Sequence, residues 1–305
     1  MTTTQPRTIS TGWGLGLFAT FCFSIAPPTA SAAIAGGQNP TAILVVRMAL
    51  TMLLLVVTIA LMDARLLRTD RRCLQVSLLA GLTNSAGMVG YFWALTRLHT
   101  SVAAMLFSVS PLVVLSVLAL RGEPVTRRHV LRLALALGGI YLLVGPSGAV
   151  DLLGLLYLSV AIVAFALQVV FIQWFLTGYD ARTVTLYMAV GMALGVTIFW
   201  FFQGAPWVVP SLGGWVAILV LAVMSTYLAR LAFFGAISRI GGAQVAMLTP
   251  LEILMTILWS VLFLGERLTL VQWLGGLLIL SSALLAVQRL GRVRRPLRWR
   301  LWARA

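Results

Sequence analysis

The sequence predicts an all-α polytopic membrane protein with ten transmembrane helices, arranged as two inverted five-helix repeats. Three observations lead there. The chain has 305 residues, of which 61% are hydrophobic and only 10% charged. A soluble domain of this size cannot hide so much apolar surface. Apolar segments of about 20 residues, the length that spans a bilayer, recur along the whole chain. Finally, the stretch Leu74–Val144 is echoed about 143 residues later by Trp215–Val287. Ala104-Met105-Leu106 returns as Ala246-Met247-Leu248, and Gly122-Glu123-x-x-Thr126 returns as Gly265-Glu266-x-x-Thr269. Five apolar segments precede the join near Gly145 and five follow it. An odd number of spans per half turns the second half upside down. Inverted repeats of this kind recur in secondary transporters, with the binding site at the repeat interface near the bilayer midplane. The expected units are a first repeat over 1–146, a second over 147–290 and a basic tail over 291–305.

Taken in order, the spans fall near 13–35, 41–62, 74–96, 99–120, 128–145, 151–175, 183–203, 213–237, 241–263 and 269–288. The first needs a check. Thr29-Ala30-Ser31-Ala32 resembles a signal-peptidase site behind a thin basic start at Arg7. The apolar stretch runs on past it, and Pro27-Pro28 breaks an ordinary signal core, so the segment is expected to stay as a span. Gly36-Gly37-Gln38-Asn39-Pro40 is a turn that leads into the second span, with Pro40 suited to a first helical turn. Gly145-Pro146-Ser147-Gly148 separates the repeats. Gly204-Ala205-Pro206 and Pro210-Ser211 bracket the longest outer loop, and Gly241-Gly242 closes a tight hairpin between spans eight and nine.

Arginine sets the expected orientation. There are 22 basic and 7 acidic residues, for a net charge of +15, and every basic residue is arginine. With the N-terminus inside, 18 of the 22 lie in cytoplasmic segments or at their edges, including seven in the C-terminal tail. Only Arg97 and Arg267 fall outside, and Arg47 and Arg230 fall within spans. The positive-inside rule therefore places both termini in the cytoplasm of an inner-membrane protein. Charge arranged this way points to an anionic inner leaflet and not to nucleic acid. The segment Pro296–Ala305 is expected to lie on that leaflet as a short amphipathic helix. Cys22 and Cys73 are far apart and suggest neither a disulfide nor a metal site. No cofactor is expected, and the assembly is expected to be a monomer or homodimer.

Ionisable groups inside a span are costly and mark functional sites by default. Arg47 lies in the outer third of span two, where a guanidinium can be held structurally by backbone carbonyls or by snorkelling. Glu252 is the one carboxylate deep in the bilayer. Arg230 precedes the Gly241-Gly242 turn by about ten residues and Glu252 follows it by as many, so the two reach similar depth in an antiparallel hairpin. A buried ion pair is expected. It is either a structural lock between helices eight and nine, or a cavity border. In the second case Arg230 receives an anionic group and Glu252 receives an amine or a proton. Gln168 and Tyr227 are further candidates, since a buried amide or phenol needs a partner. Asn84, Ser85, Ser108, Ser110, Gln173 and Tyr187 are weaker ones, because serine in a membrane helix commonly bonds its own backbone. Pro27, Pro28, Pro111 and Pro250 free carbonyls within spans and are candidate breaks or hinges.

The run Tyr91-Phe92-Trp93-Ala94-Leu95, then Ser101-Val102-Ala103-Ala104, Ser110-Pro111 and Gly122-Glu123, resembles the third and fourth helices of an EamA-type protein. Arg47 in Val46-Arg47-Met48 matches the arginine that such proteins carry in their second helix. Ile240-Gly241-Gly242-Ala243, Leu251-Glu252 and Leu264-Gly265-Glu266-Arg267-Leu268-Thr269 match helices eight to ten. The resemblance covers about 13–290. It implies the drug/metabolite transporter superfamily, with two inverted repeats, a central cavity and export of small metabolites; Tyr91 and Trp93 join the candidate site on this basis. The chain departs from the pattern where Glu252 is followed by Ile253 and not proline, where the first helix carries two prolines, and at Arg230.

These features predict a secondary transporter that exports a small polar or amphipathic metabolite such as an amino acid, with a proton as the candidate coupling ion. The alternative substrate is lipid-linked or drug-like. The chain has no lysine and no phosphate-binding loop, which argues against ATP-driven transport. A membrane enzyme is disfavoured, because no span interior holds a histidine, paired carboxylates or a Ser/Lys dyad.

Overall fold

A computed structural model describes residues 6–63, 69–119, 127–144, 151–176, 179–204, 209–240 and 248–290. The described residues are helical, with turns and no strand among them. The helices are α1 (Pro6–Ser24), α2 (Ala26–Ala35), α3 (Pro40–Asp63), α4 (Arg71–Ala94), α5 (Thr100–Phe107), α6 (Ser110–Ala119), α7 (Arg127–Val144), α8 (Leu152–Phe175), α9 (Ala181–Gln203) and α10 (Leu212–Leu219). A π-helical segment, Val220–Leu228, joins α10 to α11 (Ala229–Ile240), and α12 (Thr249–Leu264) and α13 (Leu270–Leu290) complete the chain. Among the described residues, five helical stretches are long and apolar enough to cross a membrane: Ser10–Ala35, Pro40–Leu61, Leu152–Ile172, Arg182–Gln203 and Leu212–Phe233. Shorter apolar helices cover Thr100–Val114, Leu251–Leu264 and Leu270–Ser282.

Local chemistry explains the helix ends. Asn39 Oδ1 accepts from the amides of Thr41 (2.9 Å) and Ala42 (3.2 Å), so the Asn-Pro pair starts α3 with its donors satisfied. Asp151 and Ser211 cap α8 and α10 through the amides of Gly154 (2.9 Å) and Gly214 (3.2 Å). The Gly154 amide and then the Arg97 guanidinium, 3.0 Å away, hold the Asp151 carboxyl below its ordinary range. Gly204 and Gly265 end α9 and α12 at φ 62° and 66°, the left-handed conformation that glycine adopts without strain.

Two expected spans are broken. The first divides at Ile25 into α1 and α2, and the fourth divides at Ser108-Val109 into α5 and α6. A proline stands second in the helix after each break, Pro27 in α2 and Pro111 in α6, and Pro250 stands second in α12. Proline lacks a donor and clashes with the carbonyl four residues back, so it is tolerated in a first turn and not further in. Pro250 thus starts the described helix, where the sequence places it within span nine.

Helix α4 is the centre of the packing, with α8 on one side and α9 on the other. Its glycines allow this. A Cβ at Gly90 would lie 2.7 Å from the Tyr157 carbonyl oxygen of α8, and one at Gly81 would collide with the Met188 carbonyl of α9. Gly191 of α9 meets the Leu78 carbonyl of α4 in the same way. Small residues that let helices approach this closely are a membrane packing device. Helix α1 packs on α11 and α12, α3 on α9 and the π segment, and α7 on α13. Many large apolar side chains face outward, among them Leu61, Phe202 and Leu270. That is the surface a bilayer requires.

Candidate functional site

The middle of the bundle encloses a cavity of about 250 Å³. Its walls come from α1 and α2 (Phe23, Ala26, Pro27), α3 (Arg47), α4 (Asn84, Tyr91, Phe92), α5 (Phe107), α8 (Phe165), the π segment (Ser225, Thr226), α11 (Arg230) and α12 (Glu252, Thr256). Three charged side chains therefore share one small space with a wall of aromatic rings. Phe107 makes edge contacts with Tyr91 (centroids 5.3 Å apart) and tilted contacts with Phe165 (5.4 Å), which fixes that wall.

Arg230 and Glu252 both line the cavity, as depth matching predicted. The expected ion pair between them is not formed. Among the described residues the ion pair is Arg97–Asp151, far from the cavity at an exposed edge. The Arg230 guanidinium meets the Met192 thioether, Nη2 to Sδ 3.8 Å. Glu252 lies in the first turn of α12, where the helix macrodipole favours a carboxylate by about 0.3–1 kcal/mol. That placement gives the carboxylate a partner other than the arginine, and leaves the guanidinium's donors facing the cavity. Sequence reasoning put both groups at one depth, but helix position along a hairpin says nothing about azimuth.

Arg47 is buried and takes part in the densest polar cluster. Its Nε donates to Thr226 Oγ1 at 2.8 Å, its Nη2 donates to Ser225 Oγ at 3.4 Å, and its guanidinium lies 5.7 Å from the Phe92 ring centroid. Thr51, one helical turn on, donates to the Ala222 carbonyl at 3.3 Å. The anchor of Arg47 is thus a pair of hydroxyls, not the backbone carbonyls or headgroups expected from sequence. Asn84 lines the cavity and donates its amide to Gln168 Oε1 behind it. Gln168 is buried and supports Asn84 instead of lining the space itself.

Four candidates are elsewhere. Tyr227 bonds Thr58 Oγ1 at 2.5 Å and packs with Leu55, Ile59 and Leu186, away from the cavity. Trp93 donates to Thr41 Oγ1 at 3.1 Å and lines a separate cavity with Tyr157 and Phe199. Ser110 is buried at the start of α6, and Pro28 lines a lateral groove instead of the centre. The side chains of Pro111, Pro250 and Gln173 lie outside the described residues, as do the Gly145–Gly148 join, the Gly241-Gly242 hairpin and the tail 291–305. Ser225, Thr226 and Thr256 are cavity residues that the sequence reading missed. Threonines one and two turns from a buried arginine and a buried glutamate were the available signal.

A helical bundle with a lipid-type surface and an enclosed charged cavity defines a membrane transporter. The comparisons agree. The profile of the EamA-like transporter family matches residues 10–145 and again 152–288. The chain belongs to this family, and with it to the drug/metabolite transporter superfamily. It is 26% identical over 220 residues to an uncharacterized transporter of Archaeoglobus fulgidus, a match covering 72% of this chain and 77% of that one. A second relative, an uncharacterized transporter in the cobO 3' region of a Sinorhizobium species, is 43% identical over 67 residues, covering 22% of this chain and 48% of that one. A solved crystal structure superimposes with a TM-score of 0.64 at 18% identity, covering 92% of this chain and 99% of that one, and shares the fold.

Proposed function

We propose that this transporter exports a small metabolite bearing both an anionic and a cationic group, such as an amino acid, across the inner membrane by alternating access. The observation that carries the reading is the cavity in which Arg230 and Glu252 face one space without neutralising each other. A buried charge without a counter-charge is costly. A substrate carboxylate at Arg230 and an amine or proton at Glu252 relieve that cost in both directions of the cycle.

The reading includes ten spans in two inverted repeats with both termini cytoplasmic. Support comes from the two stretches matched by the family profile and from the packing pattern. Under a repeat operation that exchanges spans one and six, three and eight, the α4–α8 contact becomes α11–α1, and both contacts occur. The α3–α9 and α7–α13 contacts each map onto themselves, as a two-fold axis demands.

A second reading, an amphipathic or lipid-linked substrate, is favoured by one feature. A lateral groove of about 620 Å³ runs between α1–α2, α10 and α12, with largely apolar walls such as Phe21, Val216 and Trp259. Thr256 Oγ1 and Trp259 Nε1 both donate to Ser24, at 3.1 and 3.0 Å, and this bridge separates the groove from the central cavity. Counterflow in proteoliposomes, with labelled amino acids in one series and apolar-tailed cations in the other, tests the two. Counterflow of neither class defeats both readings.

A further inference from the structure

We infer that Arg47 is a positioning residue: it holds the π-helical turn of Val220–Leu228 and thereby aims Arg230 into the cavity. The inference rests on the reading of Arg230 as the group that meets the substrate anion. A π turn, with its i→i−5 hydrogen bonds, is less stable than the α turn it replaces and occurs in short pieces at functional sites. Here it runs for nine residues in the middle of a membrane helix. Something must compensate.

The hydroxyls of Ser225 and Thr226 both donate back to the same carbonyl, Leu221 O, each at 2.8 Å. Adjacent residues sharing one acceptor four and five positions back is a π-register pattern; in an α-helix, hydroxyls reach three or four back. Each hydroxyl has one proton, and that proton is committed to Leu221. Each therefore presents only lone pairs, and only a pure donor satisfies both. Arg47 is that donor, through Nε to Thr226 Oγ1 and Nη2 to Ser225 Oγ. Guanidinium carries five N–H groups and no acceptor. Thr51 adds a bond to the Ala222 carbonyl within the same turn.

Arg230 follows the π segment by two residues. Returning the segment to α geometry takes one residue out of the bulge, which rotates all that follows by about 100° and shifts it by about 1.5 Å. Arg230 would then leave the cavity wall. The orientation of the anion-binding group thus depends on a residue of another helix, 183 positions earlier in the chain.

The test reads the orientation of position 230 without any substrate. Cys22 and Cys73, both buried and free, are replaced by alanine, and Arg230→Cys supplies one thiol. The rate at which this thiol reacts with a neutral, water-soluble methanethiosulfonate is measured in proteoliposomes. Adding Arg47→Gln is expected to slow the reaction about tenfold or more, the equivalent of one charge-assisted hydrogen bond in the register equilibrium. Arg47→Lys, which can reach one hydroxyl but not both, is expected to fall in between. Deleting Val223, which restores the α register while keeping Arg47, should slow it as strongly. Ala104→Cys on α5 reports whether the cavity itself survives, and the rate at that position should not change. An unchanged rate at position 230 in the Arg47→Lys background, or in Arg47→Gln if that variant folds, overturns the inference. If the rates at position 230 change as expected while Arg230→Gln still transports anion-bearing substrates, the positioning role stands and the anion-binding reading falls.

Discussion

The carboxylate of Glu266 accepts a 2.6 Å hydrogen bond from the backbone amide of Thr100, and its second oxygen accepts one of 2.9 Å from Ser101. The bonds tie the α12–α13 turn to the first turn of α5, across 165 residues of chain. An anion at a helix N-terminus meets both the unpaired amides and the positive end of the macrodipole. Thr100 and Ser101 are fully buried, so without Glu266 those amides would have no water to turn to. Glu266 belongs to the repeated Gly-Glu-x-x-Thr motif. Its counterpart Glu123 lies outside the described residues.

Replacing Glu266 with alanine should therefore destabilise the protein by about 1–3 kcal/mol, the cost of leaving buried donors unpaired. Glu266→Gln, which keeps one acceptor oxygen, should lose less. Thermal unfolding in detergent orders the three proteins. Equal stability of Glu266→Ala and the parent would remove the capping role.

Helix approach makes a second prediction. Gly81→Ala or Gly191→Ala drives a methyl into a backbone carbonyl of the facing helix, and overpacking of this kind costs about 1–3 kcal/mol. Gly14→Ala and Gly138→Ala have nothing within 4 Å and should be neutral or stabilising by up to about 1 kcal/mol through helix propensity. Unfolding temperatures of the four variants decide the matter, and a neutral Gly81→Ala would mean that α4 and α9 can separate at little cost.

Asn84 and Gln168 form a closed pair of amides, so their effects should not add. Gln168→Leu leaves Asn84 partly unpaired at the cavity wall, costing about 1–3 kcal/mol. The double variant Asn84→Leu with Gln168→Leu should cost clearly less than the sum of the singles. A purely additive cycle would show that the hydrogen bond contributes nothing beyond packing.

What the sequence made legible follows from periodicity and charge. Runs of apolar residues give helix positions directly, and each of the ten expected spans falls on a helix or a pair of helices wherever it is described. The helix breaks were announced by Pro27 and Pro111, although the breaks fall just upstream of them. The π segment was not legible, because Val220-Leu221-Ala222-Val223 reads as ordinary apolar helix and the driving contacts come from α3. That miss explains others. Tyr227 adjoins Thr226 in sequence, yet the Thr58 hydroxyl holds it toward α3, away from the cavity. Trp93 and Tyr91 are two residues apart and so face different sides of α4. Only Tyr91 reaches the central space.

The orientation proposed above is checked by reporter fusions. Arginine asymmetry predicts that fusions after Arg72 and Arg182 read cytoplasmic and those after Gln38 and Ser147 read periplasmic. A fusion after Arg289 should also read cytoplasmic. A periplasmic signal there would contradict the even span count on which the inverted repeat depends.

The strongest prediction concerns the two charges of the cavity. Arg230→Gln keeps hydrogen-bonding capacity but loses the charge that would meet a substrate carboxylate. Losing one charge-assisted bond of about 1.5–3 kcal/mol weakens substrate affinity by about one to two orders of magnitude. Glu252→Gln is different. It preserves shape and keeps an acceptor at the first turn of α12, but it can no longer take up or release a proton. If Glu252 carries the coupling proton, this variant should still exchange labelled for unlabelled substrate across the membrane. Net transport driven by an imposed pH gradient should vanish, because the return step requires the carboxyl to change protonation state. Proteoliposome flux with and without the gradient separates these cases. Full gradient-driven flux in Glu252→Gln would end the coupling role. Loss of exchange together with net flux would instead assign Glu252 to substrate binding.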